Sequence, residues 1–470
     1  MQRPIYLSLV FHNHQPVGNF DFVFEEAYAM AYRPLVECLE RHPKVHVGMH
    51  FSGCLRDWLQ VHQPDLFVKL KALVKRGQVE ILTGAYYEPI LTNLSDEDKI
   101  GQIQKQTKAI EDDFEYRPEG MWVAERVWEP HLIKPIAQTG VKYVIVDDTH
   151  FEYVGFKTDE LLGYFVSEEQ GYPLNIFPTL TKLRYIIPWA EVDKAIEWLR
   201  QQAQAQQPEY HYPKLAFMGD DGEKFGLWPG TYEQCWGNSK YMDRLFQAFE
   251  ANSDWLITVS PREYMNQYPA RGRAYLPTAS YMEMSEWALP PDDSWELTSL
   301  RHRLEQRRDH EANPAQREEL SRLLRYLRGG FWRNFLVKYP EINHMQKRAM
   351  WLSERVHALP EGQRKTEALE HLWAAQCNCA YWHGVFGGIY LFHIRAANYA
   401  NLIAAEELVD QGQKLTLRKF DFDLDGNDEI LITSSPFSLI FDFREMPEEN
   451  TVYRIIDDSH IRYEFRGSKT

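Results

Sequence analysis

The sequence predicts an α/β protein in which a barrel of seven parallel strands is followed by a helical domain and a short β-strand segment. Three observations support this class. Short apolar runs alternate with amphipathic stretches up to about residue 285, a charged helical pattern follows Pro290, and an apolar/polar alternation begins after Gly412. We therefore expect three domains, formed by residues 1–285, 286–410 and 411–470.

Seven short apolar runs in the first segment predict strands. Amphipathic stretches separate them, and in one of these Ser95 and Asp98 predict the N-cap of a helix. Such alternation is typical of parallel strands joined by helices, in an open sheet or a barrel, and seven strands favour the barrel. The predicted strands are Ile5–Phe11, Val45–Phe51, Val79–Thr83, Gly120–Ala124, Val141–Asp147, Leu215–Met218 and Leu256–Val259.

The two later segments follow different patterns. Residues 286–410 are charged and helical, which predicts a helical bundle. The stretch LTLRKFDFDLDGNDEILITSS alternates apolar and polar residues about a turn, which predicts a β-hairpin, and SLIFDF and YRIIDD continue in the same style. Because a complete β-sandwich needs about 100 residues, residues 411–470 predict only a partial or short sandwich.

Charge and hydropathy exclude several partners. The net charge is −16 and there is no long Lys/Arg run, so we expect no nucleic acid partner. No stretch of 18 apolar residues predicts a membrane span, and the apolar run from Ile5 is interpreted as a strand, not as a signal peptide. We also expect no cofactor and no bound metal, and the sequence indicates no oligomeric state.

The five cysteines argue against a disulfide framework. Their number is odd and they are scattered, which favours a reducing, cytoplasmic location. Cys377 and Cys379 are spaced C-x-C, unlike the C-x-x-C of zinc or redox sites, so we interpret both as buried free thiols.

Polar side chains follow the predicted strands at the point where each strand ends. Since functional residues of parallel barrels lie just past the C-terminal ends of the strands, these groups predict one shared site. They are His12 and His14, Glu80 and Glu88, Glu125 and Arg126, Asp148 and His150, and Asp220 and Asp221.

Carboxylates, histidines and aromatic rings dominate this predicted site. Paired carboxylates with aromatic walls suit glycosidic bond chemistry, and retaining enzymes place the two carboxyl groups about 5–5.5 Å apart. The nucleophile must stay ionised, which a cation such as Arg126 would favour. The acid must keep its proton, which a second carboxylate such as Asp220 or Glu223 would favour.

Five sequence blocks carry a family resemblance. FHNHQPVGNF, WVAERVWEP, GDDGEKFGLWPG, ASYMEMSEWALP and QCNCAYWHGVFGGIYL resemble the signature blocks of glycoside hydrolase family 57. The likeness extends from residue 5 to about 395 and is closest to the 4-α-glucanotransferases and the α-amylases grouped with them. It implies a seven-stranded (β/α) barrel, a helical domain and a C-terminal β-sandwich.

The resemblance also implies residue roles. Glu125 would be the nucleophile and Asp221 the acid/base, while Trp287 and Trp382 would close the groove over a glucan. The other residues implied to bind substrate are His12, His14, Glu80, Asp148, His150, Asp220 and Trp228. Two features depart from the family pattern: Gly219 stands where similar members often have His, and the C-terminal strand segment is short.

Each role has an alternative. Glu125 and Asp221 would form structural ion pairs, Asp148 and His150 would form a turn after a strand, and the tryptophans would pack in the core. For His12 and His14 we rank sugar binding first, a structural role second and a metal pair third. The spacing of Asp421, Asp423 and Asp425 matches a calcium loop, but Ile432 occupies its twelfth position, which favours a polar hairpin turn.

The predicted function is a retaining 4-α-glucanotransferase acting on starch, glycogen or maltooligosaccharides, with another glucan as the acceptor. With water as the acceptor, the same site would make an α-amylase. Two alternative hypotheses assign the protein to other functional classes. One is a zinc-dependent deacetylase or mannosidase, and the other is a glucan-binding protein with an inactive site.

Overall fold

A computed structural model describes residues 4–205, 212–384, 387–412, 415–434, 437–442, 451–457 and 460–465. The chain forms two compact units, one of residues 1–339 and 376–398 and the other of residues 340–375 and 399–470. This division groups residues 286–339 with the first 285 residues, and so differs from the predicted boundaries.

The strands alternate with helices along the first unit, which confirms the predicted α/β class. The strands of this unit are β1 (Ile5–Asn13), β2 (Val47–Phe51), β3 (Val79–Leu82), β4 (Gly120–Trp122), β5 (Tyr143–Asp147), β6 (Phe165–Glu169), β7 (Tyr172–Thr179), β8 (Lys214–Asp221) and β9 (Leu256–Thr258). The strands of the second unit are β10 (Thr416–Phe420), β11 (Glu429–Ser434), β12 (Phe437–Phe441), β13 (Thr451–Asp457) and β14 (His460–Phe465).

The α-helices follow the strands and continue beyond them. They are α1 (Asp21–Ala27), α2 (Arg33–Arg41), α3 (Gly53–His62), α4 (Pro64–Lys75), α5 (Asp96–Phe114), α6 (Ile133–Gln138), α7 (Asp148–Glu152), α8 (Thr181–Ile186), α9 (Val192–Gln204), α10 (Thr231–Cys235), α11 (Tyr241–Ala251), α12 (Pro261–Gln267), α13 (Met282–Trp287), α14 (Pro291–His310), α15 (Pro314–Tyr326), α16 (Asn334–Lys338), α17 (Pro340–His357), α18 (Gln363–Ala375) and α19 (Phe392–Asp410). Short 3₁₀ turns, among them Ala124–Arg126 and Asn378–Ala380, supplement them.

Two sheets carry the first unit. One has the strand order β3-β2-β1-β8, with β9 also paired to β1, and the other has the order β4-β5-β7-β6. All of these pairs are parallel except β6 with β7. The sheets meet at two places: a parallel bridge joins Thr83 to Met121, and the amide of Leu180 donates to the carbonyl of Phe217 at 2.9 Å.

Alternate residues of the strands pack into two different clusters. On β1, Tyr6 and Val10 belong to an inner cluster, whereas Leu7 and Leu9 belong to the larger cluster under the helices. Both faces are therefore buried, as expected for parallel strands. The same period of two places His12 on the inner face at the end of β1.

The hairpin of β6 and β7 was not predicted, and this is a correction to the sequence analysis. In its sheet β7 lies between β5 and β6, and the predicted run Leu256–Val259 contains the short strand β9, which pairs with β1. β7 contains Pro173 and Pro178, which cannot donate to a ladder and weaken the strand pattern.

In the second unit, the predicted hairpin is confirmed. β10 and β11 pair antiparallel about the turn that contains Asp421, Asp423 and Asp425, and β12 extends the sheet. The Asp421 carboxylate accepts from the amides of Asp425 and Gly426 at 2.9 Å each, which is the polar turn that the sequence favoured. β13 and β14 form a second antiparallel pair.

The N-cap predicted for α5 is confirmed, because the Ser95 hydroxyl accepts from the Asp98 amide at 3.2 Å. We expect Ser95→Ala to lower the free energy of unfolding by about 1 kcal/mol, since it leaves an amide of the first turn without this acceptor. Urea unfolding measures the change. Ser321→Ala is the control, because Ser321 lies inside α15 and its hydroxyl bonds only the preceding turn; an equal loss in both variants would contradict the cap.

Candidate active site

Three neighbouring strands end at one level and bring two predicted residues, His12 and Asp221, together with His50, which was not predicted. His12 is in register with His50 of β2 on one side and with Asp221 of β8 on the other. Asp221 shares the inner face of β8 with Leu215 and Phe217, by the same period of two. The strand register thus places two imidazoles and one carboxyl side by side at the C-terminal edge of the sheet.

Glu125 reaches this edge from a strained turn. It lies one turn after β4 with φ 52° and ψ 17°, and Arg126 beside it has φ 49°. A non-glycine residue in this region costs about 1–3 kcal/mol, and such strain concentrates at functional sites. The turn is held from a distant segment, because the Ser280 hydroxyl donates to the Glu125 carbonyl at 2.6 Å and the Tyr281 hydroxyl donates to Glu125 Oε2 at 2.9 Å.

Asp220 and Asp221 have opposite surroundings although they are adjacent. Asp220 lies on the other face of β8, fully buried, where Lys224 Nζ contacts it at 2.6 Å and Arg184 at 3.3 Å. Although burial opposes ionisation, these two cations hold the pKa of Asp220 below its ordinary range. Asp220 is therefore a fixed negative charge beside Asp221.

The pKa values of Glu125 and Asp221 are both raised, first by burial and then by a neighbouring carboxylate. For Glu125 that neighbour is Asp221, while Arg126 and the Tyr281 hydroxyl favour its ionised form. For Asp221 the neighbour is the permanently charged Asp220. The Tyr281 hydroxyl favours the ionised form of Glu125 and the charge of Asp220 favours the protonated form of Asp221, while Arg126 favours ionisation of both carboxyls.

Glu88, one of the polar residues predicted to follow a strand, is a member of the site. It is only 2% exposed, has φ 55°, and lies 3.5 Å from His12 Nε2 and 4.0 Å from His50 Nε2. Within the described part of the chain, neither carboxylate oxygen of Glu88 has a hydrogen-bond partner, and the Nε2 atom of His50 has none either. Buried polar atoms of this kind are suited to accept and donate hydrogen bonds to sugar hydroxyls.

Glu88 also predicts a pH dependence of stability. Burial, opposed by the charge of His14 and reinforced by those of Glu125 and Asp221, raises its pKa from 4.5 to about 8. The protonated form is therefore the one that favours folding, and this contribution is complete below about pH 4.5 and is lost as the pH rises through about 8. We expect Glu88→Gln to make the fall in unfolding free energy over this range shallower by up to about 1.4 kcal/mol per pH unit.

Urea titrations across that pH range measure the slope for Glu88→Gln. The matched control is Glu97→Gln, which removes an exposed carboxylate from the first turn of α5. An unchanged slope in Glu88→Gln, or an equal change in the control, would contradict the assignment.

His12 and His14 lie on the same side of the chain, as predicted. Their rings are stacked with centroids 6.1 Å apart, and His12 also stacks on Trp122 at 4.6 Å. His12 Nδ1 faces His50 Nδ1 at 2.9 Å. The His14 amide donates to Glu223 Oε1 at 2.9 Å, which links the end of β1 to the turn after β8.

Glu80 is not brought to this cluster. It is the second residue of β3, two positions before the residue that pairs with His50, and it accepts from the Tyr143 hydroxyl at 2.7 Å and the Arg262 amide at 3.0 Å. It also lines a separate cavity of about 530 Å³ together with Lys71, Tyr116 and other residues. A role in binding substrate beside Glu125 has no support from this placement.

Asp148 and His150 hold backbone segments. Both Asp148 oxygens accept from Thr181, one from its amide at 2.8 Å and one from its hydroxyl at 2.6 Å, at the start of α8. The His150 ring nitrogens face the carbonyls of Asp147 and Arg126 at 2.9 and 3.1 Å. His150 thereby supports the strained turn that carries Glu125, and the structural alternative is favoured for both residues.

The three predicted tryptophans differ in exposure. Trp228 is half-buried and lies 6.4 Å from Trp189, which is 48% exposed, so this pair presents an aromatic surface to solvent. Trp287 is half-buried and packs edge-on against Tyr281 at 6.0 Å. Trp382 is only 4% exposed and donates to Asn378 Oδ1 at 2.9 Å, as a core residue would.

Gly219, the departure noted in the sequence, faces the interior beside this site. A Cβ atom there would lie 3.1 Å from Trp122 and 3.3 Å from Ile145. A side chain at this position would therefore require Trp122, on which His12 stacks, or Ile145 to shift by a few tenths of an ångström. The absence of a side chain at this position maintains the observed packing of His12.

Sequence reasoning missed several residues that shape the site. Tyr281 contacts Glu125 and His50 contacts His12, while Arg184 bridges Asp147 and Asp220 at 3.3 Å each. Tyr281 stands in the block ASYMEMSEWALP, so the resemblance contained the signal. His50 was the end of a predicted strand, where the same rule that selected His12 would have selected it.

Four clusters of the described residues offer ligand atoms to a metal within 4.8 Å of one another. Two of them lie at this site, one of His12, His50 and Glu88 and the other of His14, Cys377 and Cys379. The other two are Cys38 with His42 and Asp243, and the hairpin aspartates Asp421, Asp423 and Asp425. The third-ranked alternative, a metal held by His12 and His14 together, is not among these clusters.

Comparisons with known proteins agree with this architecture. The profile of glycosyl hydrolase family 57 matches residues 8–277, and that of the alpha-amylase/4-alpha-glucanotransferase middle domain matches residues 330–409. Alpha-amylase 1 of Dictyoglomus thermophilum is 46% identical over 440 residues, which are 93% of this chain and 62% of that protein. The 4-alpha-glucanotransferase of Thermococcus kodakarensis is 40% identical over 430 residues, 92% of this chain and 62% of that protein.

A solved structure extends the likeness to the fold. The crystal structure of the 4-alpha-glucanotransferase from Thermococcus litoralis superposes with a TM-score of 0.85 at 39% identity, covering 93% of this chain and 64% of that one. These findings define the chain as a homologue of glycosyl hydrolases. More specifically, the chain belongs to glycosyl hydrolase family 57, which confirms the resemblance, and it spans 62% of the length of the two curated relatives.

No helix among the described residues combines the length and hydropathy needed to cross a bilayer.

Proposed function

We propose that this protein is a retaining enzyme of α-1,4-glucans, acting mainly as a 4-α-glucanotransferase. The observation that carries the proposal is the pair of half-buried carboxyls of Glu125 and Asp221, in which the Tyr281 hydroxyl favours the ionised form of Glu125 and the charge of Asp220 the protonated form of Asp221. Its relatives are named 4-alpha-glucanotransferases and alpha-amylases.

We further propose that the two sheets of the first unit close into one seven-stranded barrel. The ring would run β1, β2, β3, β4, β5, β7, β8, with β6 and β9 outside it. The bridge between Thr83 and Met121 and the hydrogen bonds of Leu180 and Thr179 to β8 support the two closing contacts. Glu125 and Asp221 would then face one another across the C-terminal mouth of this barrel.

The proposed reaction is a double displacement. Asp221 donates its proton to the glycosidic oxygen as Glu125 attacks the anomeric carbon, so the leaving glucan departs as a neutral alcohol and a glucosyl ester forms on Glu125. Asp221, now ionised, then removes the proton of an acceptor hydroxyl. That oxygen displaces Glu125 and restores the α configuration.

The buried histidines and Glu88 would bind the sugar next to the cleaved bond. The open hydrogen-bonding positions on Glu88 and His50 support this role, because sugar hydroxyls both donate and accept. The exposed aromatic surface of Trp189 and Trp228 is suited to stack on a sugar further along the chain.

The acceptor distinguishes the two named activities, and one experiment tests both. Purified protein is incubated with maltotriose or maltoheptaose, and reducing ends and chain lengths are followed together. We expect redistribution of chain lengths with few new reducing ends, which is transfer. A steady rise in reducing ends would indicate the alternative, an α-amylase, and no change in either would contradict the proposed function.

Simple measurements distinguish the proposed function from the two alternative hypotheses. A zinc-dependent deacetylase or mannosidase would lose activity after exhaustive chelation, whereas the proposed enzyme keeps it. An inactive glucan-binding protein would bind maltoheptaose without changing its length.

A further inference from the structure

Two thiols and one imidazole meet beside the candidate catalytic pair. His14 Nε2 lies 3.2 Å from Cys379 Sγ, and the ligand atoms of His14, Cys377 and Cys379 all lie within 4.8 Å of one another. Cys377 is buried, whereas His14 and Cys379 are half-buried, so an ion can approach from their side. From the sequence, the two cysteines are interpreted as buried free thiols. His14 is 363 positions earlier than Cys377, and no sequence pattern predicts that it lies next to them.

The imidazole is oriented for coordination. His14 Nδ1 is held by the Ser52 hydroxyl at 2.9 Å, and the His14 backbone amide is held by Glu223 at 2.9 Å. These contacts leave Nε2 facing the sulfur of Cys379. Metal-binding histidines characteristically use their second ring nitrogen in this way, since the outer hydrogen bond fixes the tautomer and the ring orientation.

The two cysteines are also held in place by their backbone. They flank Asn378 in the 3₁₀ turn Asn378–Ala380, and the Asn378 amide and side chain both donate to the Glu88 carbonyl, at 3.2 and 2.6 Å. The Cys377 carbonyl accepts from Asn398 at 3.1 Å. The turn that presents both sulfurs is therefore fixed to the loop that carries Glu88.

We propose that His14, Cys377 and Cys379 form a binding site for one thiophilic divalent cation, Zn²⁺, and that its occupation inhibits the enzyme. Two thiolates and one imidazole, with a fourth position open to water, are a donor set that Zn²⁺ prefers. Tetrahedral coordination at the usual zinc bond lengths separates ligand atoms by roughly 3.5–4 Å, which needs little movement of the three side chains. Binding releases the thiol protons.

The inhibitory part rests on the proposed function of the Glu125 and Asp221 site. Zinc would engage Nε2 of His14, one of the residues that the family resemblance implies bind substrate. It also adds positive charge close to Glu88 and Glu223, two carboxyls whose charges act on His14. Cys54, a third thiol nearby, already donates to the Gln15 carbonyl at 2.7 Å and is not needed as a ligand.

Cobalt substitution tests the site without reference to activity. The whole protein, reduced with a phosphine and freed of metal, is titrated with Co²⁺, and we expect a sulfur-to-cobalt charge-transfer band that saturates at one equivalent and disappears when Zn²⁺ is added. The Cys377→Ser/Cys379→Ser variant should lose the band. Cys38→Ser is the matched control, because it removes the thiol of the separate cluster with His42 and Asp243.

Three outcomes overturn the site: no band in the parent protein, a band that persists in the double variant, or a band that is lost in Cys38→Ser. The inhibition is measured separately as glucan disproportionation with and without one equivalent of Zn²⁺. We expect at least tenfold inhibition that a chelator reverses, and zinc bound without loss of turnover overturns this part. A parent protein that binds cobalt as expected but never acts on glucans refutes the proposed function, and with it the inhibition, while leaving the metal site standing.

Discussion

Replacing Glu125 by alanine is expected to lower the turnover of maltooligosaccharides by on the order of 10⁴-fold or more, the scale observed when a catalytic nucleophile is removed. The physical reason is that no other ionised carboxylate is held at this position. Tyr281 donates to Glu125 Oε2, and Arg126 favours its charge. Initial rates with maltoheptaose measure the effect, and circular dichroism checks that the variant folds.

The product formed in the presence of azide makes this test specific. In Glu125→Ala, azide can enter the space of the lost carboxylate and attack α-glucosyl fluoride from the same side, which gives the inverted β-glucosyl azide. The control is Glu129→Gln, since Glu129 stands in the same sequence block but pairs with Arg333 at 2.6 Å; we expect its turnover to stay within a few-fold of the parent. Full activity of Glu125→Ala would exclude the mechanism.

The sequence predicted the parallel strands well because burial on both faces produces short, continuous apolar runs. All seven predicted runs contain strands of the structure. The hairpin of β6 and β7 was missed for a physical reason. The apolar pattern is interrupted by Pro173 and Pro178 in β7 and by Glu168 and Glu169 at the end of β6. Without a continuous apolar run, the sequence does not predict these two strands.

The candidate site was predictable where one strand end determines a position. His12 and Asp221 lie on neighbouring strands in register, so the strand-end rule brought them together correctly. The strand-end rule does not distinguish Glu80 from Glu88. Glu80 lies inside the predicted strand and Glu88 follows it, and the backbone path after β3, with a positive φ at Glu88, brings Glu88 to the site.

Contacts between distant segments were the least predictable. Tyr281 reaches Glu125 across 156 positions of the chain, and Cys379 reaches His14 across 365. Neither segment has a periodicity that places it at the strand ends. Asp148 was also ambiguous in the sequence, because a carboxylate after a strand serves equally well to bind a ligand or, as observed, to cap α8.

Asp220→Asn is expected to shift the high-pH limb of the kcat/KM profile to lower pH. Asp220 is one of the charges that raise the pKa of Asp221, after burial, so its removal lets Asp221 lose its proton at a lower pH. The uncompensated cations of Lys224 and Arg184 act in the same direction. The limb position does not depend on how much protein is active, so partial unfolding does not obscure it.

The charge-conserving control is Asp220→Glu, in which the limb should stay near that of the parent. A limb that moves equally in both variants would show that geometry, and not the charge of Asp220, controls the proton on Asp221.

Asp221→Ala completes the assignment of roles, because its effect depends on the leaving group. With maltooligosaccharides we expect a loss of about 10²–10⁴-fold, the usual contribution of a general acid. α-Glucosyl fluoride needs little protonation to depart, so formation of the glucosyl ester on Glu125 should be nearly normal and its breakdown slow. Azide should then release α-glucosyl azide, the opposite anomer to that from Glu125→Ala. The β anomer from both variants would mean that Asp221 is not the acid/base, since the two carboxyls would then not act on opposite faces of the sugar.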